Sequence, residues 1–387
     1  MALTIYDRRA RALVGVADAL LAPLALRRLF RRRGMEPPRR ILCLRIERIG
    51  DLLMTLPALA ELRALAPDAL IDLVVGSWNR EIARAIPSVD AVQTLDAAWL
   101  SRSPGHAGLS PFSLVAEATR WRARGYDLAI NFEPDIRSNL ALAVSGAKRT
   151  AGFRSAGGGP LLDVALDYDT RQHTADNAVR LVREALGESA PSADATLHIP
   201  DAARSDAARL LAPLGTGRKI GMHVSGGRAI KQWPEARFRE LAGRLVRDRG
   251  ASIVLTGAPG DREQIDLVRA GLPPERALDL SAGSDLLTVA AVIQQLDLFV
   301  TGDTGPMHLA HAVGTPIVAI FGPSDPKRYA PRGLRDEVVR IDLPCSPCNR
   351  IRLPPARCTG HTPDSLAGID TARVLAAIDD VLRTERR

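Results

Sequence analysis

Residues 300–311, V-T-G-D-T-G-P-M-H-L-A-H, admit few local structures. An apolar strand at 298–301 runs into Gly302-Asp303-Thr304-Gly305. Pro306 then stands where the first residue of an apolar helix over 307–313 is expected. Proline at that position lacks only an N–H that a helix leaves unpaired anyway. A strand turning this tightly into a helix aims backbone N–H groups and a positive helix end at one point, which suits phosphate oxygens. Asp303 would repel phosphate and is better matched to neutral hydroxyls beside it. A sugar linked through a diphosphate offers both features. A glycine- and proline-rich turn with a capping Asp explains the same residues without a ligand, so other parts of the chain must decide.

The strand–turn–helix unit recurs. In the first half, strands are expected at 41–46, 70–75, 91–95 and 127–132, and helices at 52–65, 79–86, 114–123 and 173–186. The Gly, Pro and Ser content of 101–112 and 154–160 reads as surface loop. After a proline-marked stretch and a helix at 201–214, the alternation restarts. Strands are expected at 219–224, 252–256, 277–280, 298–301, 316–321 and 338–341. Helices are expected at 234–248, 261–270, 286–296, 306–313 and 365–384. Alternation of this kind predicts parallel, doubly wound α/β sheets. The 387 residues, 46% of them apolar, suffice for two such domains. We divide the chain into an arm at 1–40, an N-terminal Rossmann-like domain at 41–205 and a C-terminal one at 206–387. Two such halves facing each other would hold ligand between the C-terminal ends of their strands.

Three further turns at strand ends carry candidate chemistry. Gly50-Asp51 follows the first strand; a carboxylate there can take a proton from a substrate hydroxyl, or simply cap a helix. His223-Val224-Ser225-Gly226-Gly227-Arg228-Ala229-Ile230-Lys231-Gln232-Trp233-Pro234 offers a hydroxyl, approachable N–H groups and one ammonium, a set suited to a departing diphosphate. It lacks the spacing of a Walker loop. Asp261 and Glu263 begin a helix after Thr256-Gly257-Ala258-Pro259-Gly260 and can accept from ribose hydroxyls, or serve the helix dipole alone. His308 and His311 lie one helical turn apart and read as packing or phosphate donors.

The four cysteines are too few and too clustered for a secreted disulfide scaffold, which favours a reducing cytoplasm. Cys345, Cys348, Cys358 and His361 have the spacing of a tetrahedral metal set, although packing alone would also hold that loop.

Net charge is +8, and +7 of it lies in residues 1–40, where ten arginines face Asp7, Asp18 and Glu36. The remaining body is nearly neutral and has no basic stripe interleaved with aromatics, which argues against nucleic acid. In the arm, the apolar run 12–26 is broken by Asp18 and Pro23 and is too short to span a bilayer, which needs roughly 20 apolar residues. The arginines at 27–33 argue against an export signal. An amphipathic, arginine-rich segment fits the anionic surface of an inner membrane, so residues 1–40 are expected to make peripheral contact there; a packed or disordered leader is the alternative.

Taken together, Ile49-Gly50-Asp51-Leu52-Leu53-Met54-Thr55-Leu56-Pro57, Lys231-Gln232-Trp233-Pro234 and Asp303-Thr304-Gly305-Pro306-Met307-His308 resemble the three signatures of glycosyltransferase family 9, in order and spacing. The best-known members of that family are ADP-heptose:lipopolysaccharide heptosyltransferases. The resemblance runs from about Ile41 to Arg332. It implies a GT-B fold, with the acceptor held by the N-terminal half and the nucleotide sugar by the C-terminal half, and an inverting transfer that needs no metal or other cofactor. The co-substrate would be a nucleotide diphosphate sugar, most simply ADP-heptose, and the acceptor a lipopolysaccharide core or related surface glycan. Carried across by residue, Asp51 matches the general base, Lys231 and Ser225 (with Gly226 beside it) the diphosphate contacts, and Asp261 the ribose-binding acid. Asp303 matches the acid holding donor-sugar hydroxyls, with Thr304, Gly305 and His308 around the phosphates. The Cys345–Cys348 pair resembles a Cys-rich loop of many members, but the further Cys usual there is missing from Gly360-His361-Thr362-Pro363. A family 9 enzyme with another donor sugar, or a GT-B-like nucleotide-sugar epimerase, shares much of this pattern. The epimerase would leave the basic arm without a purpose.

Overall fold

The computed structural model describes residues 7–26, 37–100, 108–190, 195–281 and 283–383. The arginines at 27–33 and most of the expected loop 101–112 lie outside the described residues. The chain divides into two compact units, Met1–Ala195 and Thr196–Arg387.

The first unit holds β1 (Arg40–Arg45), β2 (Leu70–Val75), β3 (Ala91–Thr94), β4 (Leu128–Asn131), β5 (Arg149–Phe153) and β6 (Val164–Leu166). They pair in the order β3-β2-β1-β4-β5-β6, and every pairing is parallel. Parallel strands need crossovers that cover both faces, so central strands are apolar throughout rather than alternating. Ile41, Leu42, Cys43 and Leu44 on β1 are accordingly all fully buried. β5 and β6 were not expected. R-T-A-G-F and V-A-L are short, and the first contains Arg, Thr and Gly, so neither makes an apolar run.

The second unit repeats the plan. β7 (Lys219–His223), β8 (Ser252–Thr256), β9 (Ala277–Asp279), β10 (Leu298–Gly302), β11 (Ile317–Ile320) and β12 (Glu337–Val339) pair in the order β12-β11-β10-β7-β8-β9. Counted from its own first strand, each sheet therefore has the dinucleotide-fold order 3-2-1-4-5-6. Strand order reverses between β1 and β4 in one unit and between β7 and β10 in the other. The crevice at such a reversal, beyond the C-terminal strand ends, is where doubly wound sheets bind ligands.

Two expected helices are broken, each for a visible reason. The helix at 52–65 is two pieces, Ile49–Leu53 and Leu56–Leu65. Pro57 has no N–H to continue the ladder and starts the second piece instead. The helix at 365–384 is likewise Asp364–Ala367 and Thr371–Arg383. The gap turns the Ile369 carbonyl toward the buried Trp233, whose Nε1 donates to it at 2.9 Å. The expected surface loop 154–160 is largely buried, which corrects that expectation. Asn139 Nδ2 donates to Phe153 O and Gly157 O, both at 2.9 Å, and Asp18 Oδ1 accepts from Gly158 N at 2.7 Å. That last bond ties helix Arg8–Leu21 of the basic arm to the loop after β5 in the same unit. Gly157 has φ +95, and a Cβ there would stand 2.3 Å from Val14 Cγ1, so only glycine fits beneath the helix.

Candidate functional site

The first unit brings its charged groups together at the β1/β4 reversal. Asp51 is the third residue of helix Ile49–Leu53, and its Oδ2 accepts from Arg48 N at 3.3 Å. The capping role foreseen as the plainer reading of Asp51 is therefore present, through one oxygen and a long bond. The side chain remains 30% exposed. Beneath it lies Arg45, a buried arginine at the end of β1. Its Nε donates to Asp51 O at 3.1 Å and its Nη1 to Phe132 O at 2.6 Å, tying the β1 turn to the end of β4. Nη1 also pairs with Glu47 Oε2 at 2.9 Å, and Nη2 stands 3.8 Å from Asp51 Oδ1.

Glu133, just past β4, is 2% exposed, and its Oε1 accepts from Ile46 N at 2.7 Å. Burial, reinforced by the negative charge of Glu47, pushes its pKa well above the ordinary carboxylate value; Arg45 opposes this without reversing it. Two carboxyl groups at the β1/β4 reversal thus differ in character, Glu133 sealed and Asp51 reachable. Sequence reading missed Arg45 and Glu133. The available signal was a charge at the end of an otherwise apolar strand, R in I-L-C-L-R-I, which a buried strand tolerates only for a partner.

In the second unit the three remaining turns interlock. Lys231 closes the short 3₁₀ helix Ala229–Lys231 after β7. Its position is set from both sides. Trp233 is 1% exposed and packs edge-on against Phe238 with ring centroids 4.9 Å apart. Gln232 Nε2 donates back to Gly226 O at 3.1 Å. Gly302 lets β10 approach, because a Cβ there would sit 3.3 Å from Lys231 O. Lys231 Nζ then meets Asp303 Oδ2 at 2.7 Å. Burial raises the Asp303 pKa, but the Lys231 charge and hydrogen bonds from Lys231 and Ser324 outweigh it, leaving the carboxyl below its ordinary value and ionised.

Ser225 Oγ donates to Asp261 Oδ2 at 2.8 Å and lies 3.1 Å from His223 Nε2. The His223 Nδ1 is 3.1 Å from both Thr256 O and Thr256 Oγ1. Burial lowers the His223 pKa to about 4 against the opposing pull of Asp261, so the ring is neutral at ordinary pH. Asp261 Oδ2 also accepts from Ala258 N at 2.7 Å. The diphosphate and ribose candidates from two separate turns are therefore one hydrogen-bonded group. Thr304 precedes helix Gly305–Ala312 and its Oγ1 lies 3.0 Å from Thr301 Oγ1. His308 is buried on that helix and electrostatically favours the Asp303 carboxylate. His311 turns elsewhere, its Nδ1 3.3 Å from Asp336 Oδ2. Glu263 is exposed, and Asp261 is the acid that meets Ser225.

Cys345, Cys348 and Cys358 are free and half-buried. Among the described residues no group of three or more His, Cys, Asp or Glu side chains is gathered to hold a metal ion. Their loop instead borders a cavity of about 630 Å³ next to Arg228, Gln232 and Trp233.

The chain is 29% identical over 322 residues to lipopolysaccharide heptosyltransferase 1 of Escherichia coli O18:K1:H7, covering 78% of this chain and 91% of that protein. Its fold matches a solved glycosyl transferase family 9 structure from Veillonella parvula, with a TM-score of 0.78 at 24% identity over 92% of this chain and 100% of that one. It also matches E. coli ADP-heptose lps heptosyltransferase II, with a TM-score of 0.74 at 22% identity over 90% and 100%. These likenesses identify the pair of six-stranded parallel sheets as the GT-B fold. Residues 116–354 match the sequence profile of glycosyltransferase family 9 (heptosyltransferase), and the chain belongs to that family.

Proposed function

We propose that this glycosyltransferase moves heptose from ADP-heptose to a hydroxyl of a lipopolysaccharide core, with inversion and without a metal ion. The observation that carries the reading is the division of labour between the two strand-order reversals. One presents a reachable carboxylate, Asp51, held by Arg45. The other presents Lys231 and Asp303 paired at 2.7 Å, with Ser225 and Asp261 beside them on the neighbouring turns. The names of the similar proteins, lipopolysaccharide heptosyltransferase 1 and ADP-heptose lps heptosyltransferase II, support the donor and acceptor classes.

In this mechanism Asp51 takes the proton of the acceptor hydroxyl as its oxygen bonds to the anomeric carbon. The bond from that carbon to the diphosphate oxygen breaks on the opposite face, and ADP leaves with the electron pair. Lys231 has three N–H donors, of which one serves Asp303, so the same ammonium can also meet the diphosphate as its charge grows. Thr304, Gly305 and His308 line the phosphate end, Asp303 holds sugar hydroxyls, and Asp261 holds the ribose. Ser225, with Gly226 adjoining, contacts the diphosphate once its hydroxyl turns from Asp261.

The acceptor class implies work at the cytoplasmic face of the inner membrane. Helix Arg8–Leu21 supports that placement. It exposes Leu13, Val16 and Leu20 by 72%, 60% and 77%, with Arg8, Arg9 and Arg11 exposed at its N-terminal end. Among the described residues no helix is long and apolar enough to cross a membrane. An apolar stripe with arginines suits insertion at an anionic interface.

The deciding experiment is Asp51→Ala. Transfer should fall by at least about a thousandfold while ADP-heptose binding by calorimetry stays within about threefold. Turnover close to wild type would remove Asp51 from the role of base.

A further inference from the structure

Of the four tryptophans, Trp121 and Trp233 are buried, and Trp99 carries the Arg137 guanidinium 3.9 Å from its ring centroid. Trp78 is different. It lies in the 3₁₀ turn Ser77–Asn79 directly after β2, at the C-terminal edge of the first sheet, and is 38% exposed.

Two features show that this ring is placed rather than left over. The first is Gly76. Its φ of −64 and ψ of 148 suit any residue, so backbone freedom does not require glycine here. Space does, because a Cβ at 76 would stand 2.3 Å from Trp78 Cε2 and Cζ2. The indole occupies the volume that any other side chain at 76 would need. The second is the indole N–H. Trp78 Nε1 donates to Glu47 O at 2.9 Å, and Asn79 Nδ2 donates to the same oxygen at 2.9 Å. That carbonyl belongs to the peptide joining Glu47 to Arg48, whose N–H donates to Asp51 Oδ2 at 3.3 Å. A single peptide plane therefore connects the half-exposed indole to the Asp51 carboxylate, placing Nε1 within about 9 Å of it. Within that limit a sugar ring on the indole can reach the carboxylate.

A partly exposed aromatic ring, held through its N–H edge near a carboxylate, suits a pyranose. The C–H face of the sugar covers the ring while its hydroxyls stay free for polar groups. We propose that Trp78 is the stacking platform of a glycan-acceptor subsite that presents the acceptor hydroxyl to Asp51. This rests on the reading of Asp51 as base and of the first unit as the acceptor side. Gly76 makes room for the platform, and the Glu47–Arg48 peptide fixes its distance from the carboxylate.

The test uses the full chain, ADP-heptose and a deacylated lipopolysaccharide core oligosaccharide lacking heptose. Trp78→Ala should raise the acceptor KM roughly tenfold or more. Its kcat at saturating acceptor and the calorimetric Kd for ADP-heptose should stay within about threefold of wild type. Trp78→Phe keeps an aromatic face but loses the bond to Glu47 O, and should bring the acceptor KM back to within about threefold of wild type. An unchanged acceptor KM in Trp78→Ala overturns the subsite and leaves the transferase reading standing. Equal damage in the Phe and Ala variants, seen in kcat rather than KM, also overturns it, since the indole would then serve only to hold the peptide. If the wild type neither binds nor glycosylates this oligosaccharide, the acceptor assignment falls and takes the subsite with it.

Discussion

Lys231 Nζ and Asp303 Oδ2 stand 2.7 Å apart, joining the turn after β7 to the turn after β10. Both side chains are largely buried, at 19% and 12% exposed. Removing one charge of such a pair strands the other, so an affinity measurement alone would mix folding with binding. Lys231→Met should lower unfolding free energy by about 2–4 kcal/mol and weaken ADP binding roughly tenfold or more. Adding Asp303→Asn should recover most of the stability and none of the ADP affinity. Denaturant unfolding and calorimetry on the two variants check this, and ADP affinity restored by the second substitution would refute a direct Lys231 contact.

The coupling of Ser225 to Asp261, 2.8 Å apart, makes a separate prediction. If Asp261 holds ribose hydroxyls, Asp261→Asn should weaken ADP by about tenfold and leave inorganic pyrophosphate unchanged, because only the former has a ribose. Ser225→Ala should weaken both. Competition against a fluorescent nucleotide separates the cases, and equal losses for ADP and pyrophosphate in Asp261→Asn would contradict the ribose assignment.

These pairs show what the sequence could and could not disclose. The turns were legible because glycine and proline after an apolar strand leave few backbone paths, and Asp51, Ser225, Lys231, Asp261 and Asp303 all sit on such turns. The twofold strand alternation was legible for the same reason. Pairings between turns were not, since Lys231 and Asp303 follow strands, β7 and β10, that become neighbours only through sheet order. Arg45 and Glu133 were missed because a buried charge at or just past the end of a central strand looks anomalous until its partners are known. β5 and β6 were missed because R-T-A-G-F and V-A-L are short and make no apolar run, although β5 pairs on both sides and only β6 lies at the sheet edge. The spacing of Cys345, Cys348, Cys358 and His361 left metal binding and plain packing both open, because spacing does not fix where a proline-rich loop carries its side chains.

Helix Arg8–Leu21 offers a binding measurement. Its exposed Leu13, Val16 and Leu20 face away from the contact made by Val14 and Asp18 with residues 157–158. Replacing the three with Ser should leave the fold intact and cut co-sedimentation with phosphatidylglycerol-containing vesicles by roughly tenfold or more. Vesicles of neutral lipid should bind both forms weakly, because the arginines then lack a counter-charge. Undiminished binding of the triple variant to anionic vesicles would rule out this face as the contact.

Acid should destabilise the protein through His223. His223 is buried with a pKa lowered to about 4, whereas an unfolded histidine titrates near 6.5. Between those values the unfolded chain binds a proton that the folded one refuses. By linkage, stability then rises with pH across that window and falls as acid is added. At pH 4.5 the loss relative to neutral pH should be on the order of 2–3 kcal/mol from this residue alone. His223→Gln has no proton to gain and can keep a hydrogen bond toward Ser225, so its stability should decline less between pH 7 and pH 4.5. Chemical denaturation of wild type and variant at both pH values gives the comparison directly. Parallel pH profiles for the two proteins would mean that His223 is protonated in the folded state, in conflict with its sealed position between Thr256 and Ser225.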